Sequence, residues 1–330
     1  MSGQRSSHAT TADAQSDLLH RALAASGDSH CWLLIDPTVR ALDDEEPLAQ
    51  ALSEAGAEIV AVRAPSARID QRVMPILARI DSARSAGSAA IQLSIAEALS
   101  ECASESLTRG AGRRIGGWLQ SGISGVALAH HVGWQMVHSR QGGRRTLLRW
   151  TDPAVLWVLG TFAMLTTQQR DALHGPISVY YLLDPTGRLT KLTPSGGSSP
   201  QSAETEAFSN ASPLAFTERQ WQQLDAIGPL NQALLRFDAA RLEPESLNAA
   251  RDTGMVAISR ARSLGFSDAQ DLAAFAWRAM SVHPRFEAHP LVDEQLQKRE
   301  AGDLFTALVD PLDADAWLRI ANEPWESRPR

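Results

Sequence analysis

Cysteine, lysine and tyrosine are scarce in this chain of 330 residues. Two cysteines, Cys31 and Cys102, are too few for a disulfide framework or a cysteine metal cluster. Cys31 lies in the apolar run Cys31-Trp32-Leu33-Leu34-Ile35 and reads as a buried thiol. Lys191 and Lys298 are the only lysines, so arginine carries nearly all the positive charge. That charge is in the minority: a net charge of −7 argues against a general nucleic-acid partner. No apolar run approaches the ~20 residues that cross a bilayer. The longest, Pro153 to Leu165, reads as a core helix, so no membrane partner is expected. The polar stretch Met1 to Asp13 lacks the apolar centre of a signal peptide, and a cytoplasmic location is expected.

The familiar signatures of chemistry are also missing. There is no Gly-x-x-x-x-Gly-Lys phosphate loop and no Gly-x-Gly-x-x-Gly turn. Gly122-Ile123-Ser124-Gly125 is not the Gly-x-Ser-x-Gly of a nucleophile elbow. His130, His131 and His138 have no acidic residue at metal-ligand spacing. No cofactor and no metal are expected, and the chain is read as a non-enzyme. The alternative is an α/β enzyme with Asp36, Asp152 and His131 gathered at strand ends, where open α/β sheets place their ligands. An immunity or scaffold protein is the other alternative.

The most informative run is Leu147 to Trp157, because its period changes in the middle. Up to Trp150 it reads as a short apolar strand bearing Arg149, and from Pro153 as an apolar helix. Asp152 can accept from the free N–H groups of that helix, and Pro153 suits the first helical position. Arg149 and Asp152 are therefore read either as an ion-paired brace of a strand-to-helix corner or as a site. Asp36-Pro37 closes an earlier apolar strand in the same way, with turn chemistry as the simple explanation. Arg140, Arg144, Arg145 and Arg149 form one basic cluster, and Arg109, Arg113 and Arg114 another. Each is either a solvated turn surface or a face for an acidic partner. Nine tryptophans accompany two tyrosines, and Trp325 is the one expected at an interface.

Composition and periodicity divide the chain into four parts. Residues 1–29 read as a flexible N-terminus followed by a short helix from Ala14 to Ala25. Residues 30–193 read as an α/β lobe with a mixed sheet and flanking helices. Pro75 demotes the strand Val73–Leu77 to an edge or bulge. Gln141-Gly142-Gly143-Arg144 signals a hairpin whose return strand is Thr146–Trp150. Residues 194–213, rich in Ser, Gly and Pro, read as a linker. Residues 214–330 read as an all-α lobe that begins with a helix from Thr217 to Ala240. Thr217 and Gln220 stand at capping-box spacing, and Gly228-Pro229 interrupts the stripe. Asp268 and Asp271 favour the N-terminus of a later helix.

Several of these segments, taken in order, resemble the domain-of-unknown-function family whose members act as type VI secretion effector adaptors or chaperones. They are Leu33-Leu34-Ile35-Asp36, Met74-Pro75-Ile76-Leu77, Gly117-Trp118-Leu119-Gln120-Ser121, Leu148-Arg149-Trp150-Thr151-Asp152-Pro153 and Gly175-Pro176-Ile177. The family's usual Arg-aromatic-aromatic-Asp-Pro-Arg stands here with Thr151 and Ala154 at its third and last positions. Phe275 to Leu291, with Phe286 and His289-Pro290, resembles the family's closing helical segment. The resemblance implies an adaptor that holds a secreted effector protein and delivers it to the VgrG spike. The residues expected to bind a partner or to form the structural motif are Asp36, Arg144, Arg145, Arg149, Trp150, Asp152 and Pro153.

Overall fold

Apolar runs bounded by Asp-Pro and Gly-Pro punctuation become the strands of a six-stranded sheet. The computed structural model describes residues 2–24, 30–43, 45–65, 69–103, 112–140, 143, 145–161, 164–194, 214–237 and 242–323. The chain divides into two compact units, residues 1–220 and 221–330. The first combines the sheet with helices and the second is helical among its described residues, so the expected α/β lobe followed by an all-α lobe is the observed class. The expected boundary at 213/214 moves to 220/221. Leu214 and Ala215 give their carbonyls to His138 and Gln169, and Gln220 donates to the Met164 carbonyl at 2.8 Å. The linker residues 195–213 lie outside the described residues.

The first unit opens with α1 (Ser2–Ala24), longer than the short helix expected. Its last turns are anchored, with Leu19 and Leu23 in the core and the Gln15 side chain accepting from Leu189 N–H at 3.0 Å. Then come β1 (His30–Ile35), α2 (Pro47–Glu54), β2 (Ile59–Ala61), β3 (Ile76–Ile80), α3 (Ser85–Cys102) and β4 (Ile115–Ser121). After these follow α4 (Gly125–Met136), the hairpin β5 (Val137–Ser139) and β6 (Arg145–Leu147), α5 (Pro153–Thr161), α6 (Thr167–His174), β7 (Ile177–Leu183) and β8 (Leu189–Leu192). The strand order is β2-β3-β1-β4-β7-β8, and every ladder is antiparallel where a mixed sheet was expected. Pro75 precedes β3 and gives only its carbonyl, to Val62 N–H, so β3 pairs on both sides instead of lying at an edge.

Both faces of the central strands are covered, which is why they read as continuous apolar runs. Cys31, Leu33, Ile35, Trp118 and Tyr181 face α1, α2 and α3. Trp118 Nε1–H is satisfied inside by Ser94 Oγ at 3.0 Å. The other face bears Trp32, Leu34 and Tyr180 and packs against α4 and α5. Backbones approach closely there: a Cβ on Gly117, at φ +139°, would lie 2.3 Å from the Tyr181 carbonyl oxygen.

The second unit holds most of the helix α7 (Glu218–Leu224), then α8 (Ile227–Arg236), α9 (Pro244–Ser263), α10 (Ala269–Ser281), α11 (Pro290–Gln297), α12 (Phe305–Val309) and α13 (Ala314–Asn322). The helix expected from Thr217 to Ala240 breaks at Asp225-Ala226, and Gly228-Pro229 sits in the first turn of α8, where proline is tolerated. The Thr217–Gln220 capping box forms as expected. The α12 helix was not anticipated. Its N-terminus is capped by Asp271 of α10, whose buried carboxylate accepts from Phe305 N–H at 2.9 Å and Thr306 N–H at 3.1 Å. The core holds Phe266, Phe275, Phe286 and Phe305, with ring centroids 4.7–5.9 Å apart. Among the described residues no helix is long and apolar enough to cross a membrane.

Two left-handed glycines separate backbone strain from packing. Gly56, at φ +61°, has open space where a Cβ would go, whereas a Cβ on Gly175, at φ +51°, would lie 2.2 Å from the His131 ring. Gly56→Ala is expected to destabilise by about 1 kcal/mol and Gly175→Ala by about 2–4 kcal/mol in urea unfolding. Equal losses would show that the His131 contact is irrelevant.

Candidate functional site

Asp36 and Arg149 meet, and the pairing is not the one the local sequence suggests. Asp36 follows the last residue of β1, where the chain must turn. Its carboxylate accepts from Thr38 N–H at 2.9 Å and Thr38 Oγ–H at 2.5 Å, while its own N–H donates to the Arg114 carbonyl at 2.7 Å. Arg149 Nη2 donates to the second carboxylate oxygen of Asp36 and reaches Thr38 Oγ1 at 3.4 Å. The Arg149–Asp152 ion pair expected at the corner is therefore absent. Asp152 is occupied locally: its Oδ1 accepts from Ala154 N–H at 2.9 Å, and its N–H donates to the Arg149 carbonyl at 3.0 Å. Pro153 is the first residue of α5 and is buried. The return strand ends at Leu147, three residues earlier than expected, because residues 149–152 form the turn.

Trp150 anchors this turn to the sheet. Its buried ring meets Tyr180 edge-on at 6.1 Å, and Tyr180 O–H donates to the Gly116 carbonyl at 3.2 Å. A Cβ on Gly116 would fall 2.7 Å from the Thr151 carbonyl oxygen, so the missing side chain lets the corner lie directly on β4. Burial pushes the Tyr180 phenol above its usual range, with the Asp152 charge adding to the shift. Arg145 is exposed at the start of β6. Arg144, Arg109 and Trp325 lie outside the described residues.

Behind the corner stands a charge network that the sequence concealed. Arg113 and Arg114 are buried, not part of a solvated turn or an exposed arginine face. Arg114 Nη1 contacts Glu46 at 2.8 Å and Glu97 at 2.9 Å. Arg40 bridges the same two carboxylates at 3.0 and 2.8 Å. Glu101 accepts from Arg114 N–H at 3.0 Å and Ile115 N–H at 3.1 Å, where β4 begins. Burial nevertheless pushes Glu101 up to about 7, against these two donors and the Arg113 charge. Val39, Arg40, Glu46, Leu93, Glu97 and Glu101 line an open pocket of about 540 Å³ beside the network.

Asp36, Asp152 and His131 do not gather. Asp36 adjoins the end of β1 that pairs with Ile115. The His131 ring packs on Gly175, two residues before Ile177, which pairs with Ser121 at the opposite end of β4. Along β1, whose His30 and Ile35 pair with Ser121 and Ile115, five residue steps separate those ends, about 17 Å. His131 Nε2–H donates to the Leu173 carbonyl at 2.9 Å, and burial pushes both His131 and His174 down to about 4. Burial also pushes the Cys31 thiol up to about 12, which makes it inert. Among the described residues no three His, Cys, Asp or Glu side chains are grouped to hold a metal.

Two outcomes follow from this geometry. Arg149 is 48 % exposed and Asp36 13 %, so their pair is worth less than a buried one. A double-mutant cycle of Asp36→Ala with Arg149→Ala is expected to give a coupling of about 0.5–1 kcal/mol in urea unfolding. The Arg149→Ala and Asp152→Ala cycle is expected near zero, and the reverse ranking would restore the local pair. The second outcome concerns pH. His131 and His174 are neutral in the folded chain, so their stability contribution is full above 6.5 and is lost as pH falls toward 4. Glu101 has the opposite sign: its contribution is full below 4.5 and is lost as pH rises through 7. Between pH 4.5 and 6.5 the slopes oppose each other. Glu101→Gln is therefore expected to steepen the loss of stability on acidification, by at most about 1.4 kcal/mol per pH unit. An unchanged slope would place Glu101 at an ordinary carboxyl value.

Compared with family models, curated proteins and solved structures, the chain matches none.

Proposed function

We propose that this chain is a cytoplasmic adaptor that holds a type VI secretion effector and loads it onto the VgrG spike. One observation carries the reading. Two of the motifs whose order carries the family resemblance, the strand ending at Asp36 and the corner at Arg149 to Pro153, are joined by an ion pair across 113 positions. Their joint occurrence thus has a physical reason: together they make one unit at the end of the sheet, with Trp150 packed beneath it. Such a corner is suited to presenting a fixed surface, because its side chains are held by partners on three segments. The exposed Arg145, near Arg149 in sequence, gives that surface positive charge in a chain whose net charge is −7. A protein partner with an acidic patch is the matching occupant.

Co-expression of the chain with the effector and spike encoded beside it tests the proposal. Both are expected to co-purify with the adaptor, and the reversal Arg145→Glu to weaken one of the two complexes about ten-fold without a change in melting temperature. Failure to bind either protein at micromolar concentration would overturn the proposal. Binding and silencing of the toxin without any spike contact would identify an immunity protein instead.

A further inference from the structure

We propose that Arg278, clamped between the indoles of Trp277 and Trp317, is a docking point for a carboxylate on an acidic segment of a partner protein. Arg278 lies in the last turn of α10, and its guanidinium carbon stands 4.3 Å from the Trp277 ring centroid and 3.8 Å from that of Trp317. Among the described residues no oxygen accepts from this guanidinium and no carboxylate neutralises it. Burial alone lowers its affinity for the proton, with no opposing charge. Other arginines of the same helical unit are served differently. Arg260 and Arg285 share Glu287, Arg319 pairs with Glu323, and Arg299 donates to the Leu264 and Gly265 carbonyls. Arg278 is half-buried and has no such partner among the described residues.

The clamp is preorganised. Trp317 rests on Phe286, 6.1 Å between centroids, and Phe286 belongs to the phenylalanine core. A guanidinium stacked on aromatic faces keeps its in-plane N–H donors for an acceptor approaching edge-on, and a carboxylate matches that fork with two parallel hydrogen bonds. Ordering a long side chain is an expense that binding normally incurs, and here folding has already met it. Trp and Arg together are the residue types that dominate binding energy at protein interfaces. Leu318, next to Trp317, is 60 % exposed and offers apolar contact at the same helix. A single cation flanked by indoles, without an acceptor among the described residues, matches one carboxylate fork and offers no row of charges for a polyanionic backbone.

The inference rests on the adaptor reading only for the partner being a protein, and its test needs no effector. The full chain is titrated with a short capped peptide of alternating Glu and Leu, and with its Gln counterpart, while tryptophan fluorescence is followed. The Glu peptide is expected to bind at least about ten-fold more tightly than the Gln peptide and to shift the emission. Arg278→Met is expected to abolish the difference. Arg278→Lys, which keeps the charge but not the planar fork, is expected to weaken binding by a similar factor, and it serves should the Met variant fail to fold. Equal binding of the two peptides, or undiminished binding to either variant, would overturn the proposal. So would tighter binding of inorganic phosphate than of the Glu peptide. Effector capture by Arg278→Lys at unchanged affinity would remove this docking point and leave the adaptor reading standing.

Discussion

A guanidinium with no access to water governs one end of the sheet. Arg114 is fully enclosed at the entrance to β4, and a buried charge persists only when carboxylates accompany it. Glu46 comes from the residue before α2 and Glu97 from α3, so neutralising one arginine draws two helices toward the strand ends. Arg40 closes the ring from the segment after β1. The chain between β1 and α2 is thereby held at Asp36, whose N–H leans on Arg114's own carbonyl, and at Arg40. Arg149 finds Asp36 because this segment is already in place. The surface corner is in this sense a consequence of the buried network behind it.

Where chemistry is local, the chain could be read directly. Cys31–Ile35 and Ile177–Leu183 are continuous apolar runs ended by Asp-Pro turns, and both are strands. The Thr217–Gln220 box depends on spacing alone and appears as expected, while Asp268, expected in the first turn of its helix, stands one step outside it as the N-cap. Asp152 and Pro153 likewise perform the turn-and-helix work that their order implies. Arg149 was misread because its partner lies far away in sequence, and no local pattern records a register across the sheet. Arg113 and Arg114 resemble surface charge in composition; for Arg114 the convergence of Glu46 and Glu97 makes burial tolerable. Asp271 follows the same rule. In sequence it is a first-turn acid suited to the helix dipole, yet its carboxylate is turned inward to another helix.

Two kinds of arginine thus coexist. Arg113, Arg114 and Arg149 of the sheet unit, which look superficial in sequence, are internal or paired, and they stabilise a shape. Arg278 of the helical unit is held between two indoles and has no acceptor among the described residues. The division of the chain into two compact units separates the described examples of these roles.

The cap that Asp271 supplies to α12 has a consequence for how the helical unit assembles. A helix of five residues is far below the length at which isolated helices persist. It acquires its N-terminal acceptor from a residue 34 positions earlier. The short helix is therefore conditional: it exists as a helix only once α10 is formed and docked. Between the two, the chain must still deliver Phe286 to the core while it returns Phe305 and Thr306 to the same carboxylate. An order of assembly is thus encoded in a single buried acid.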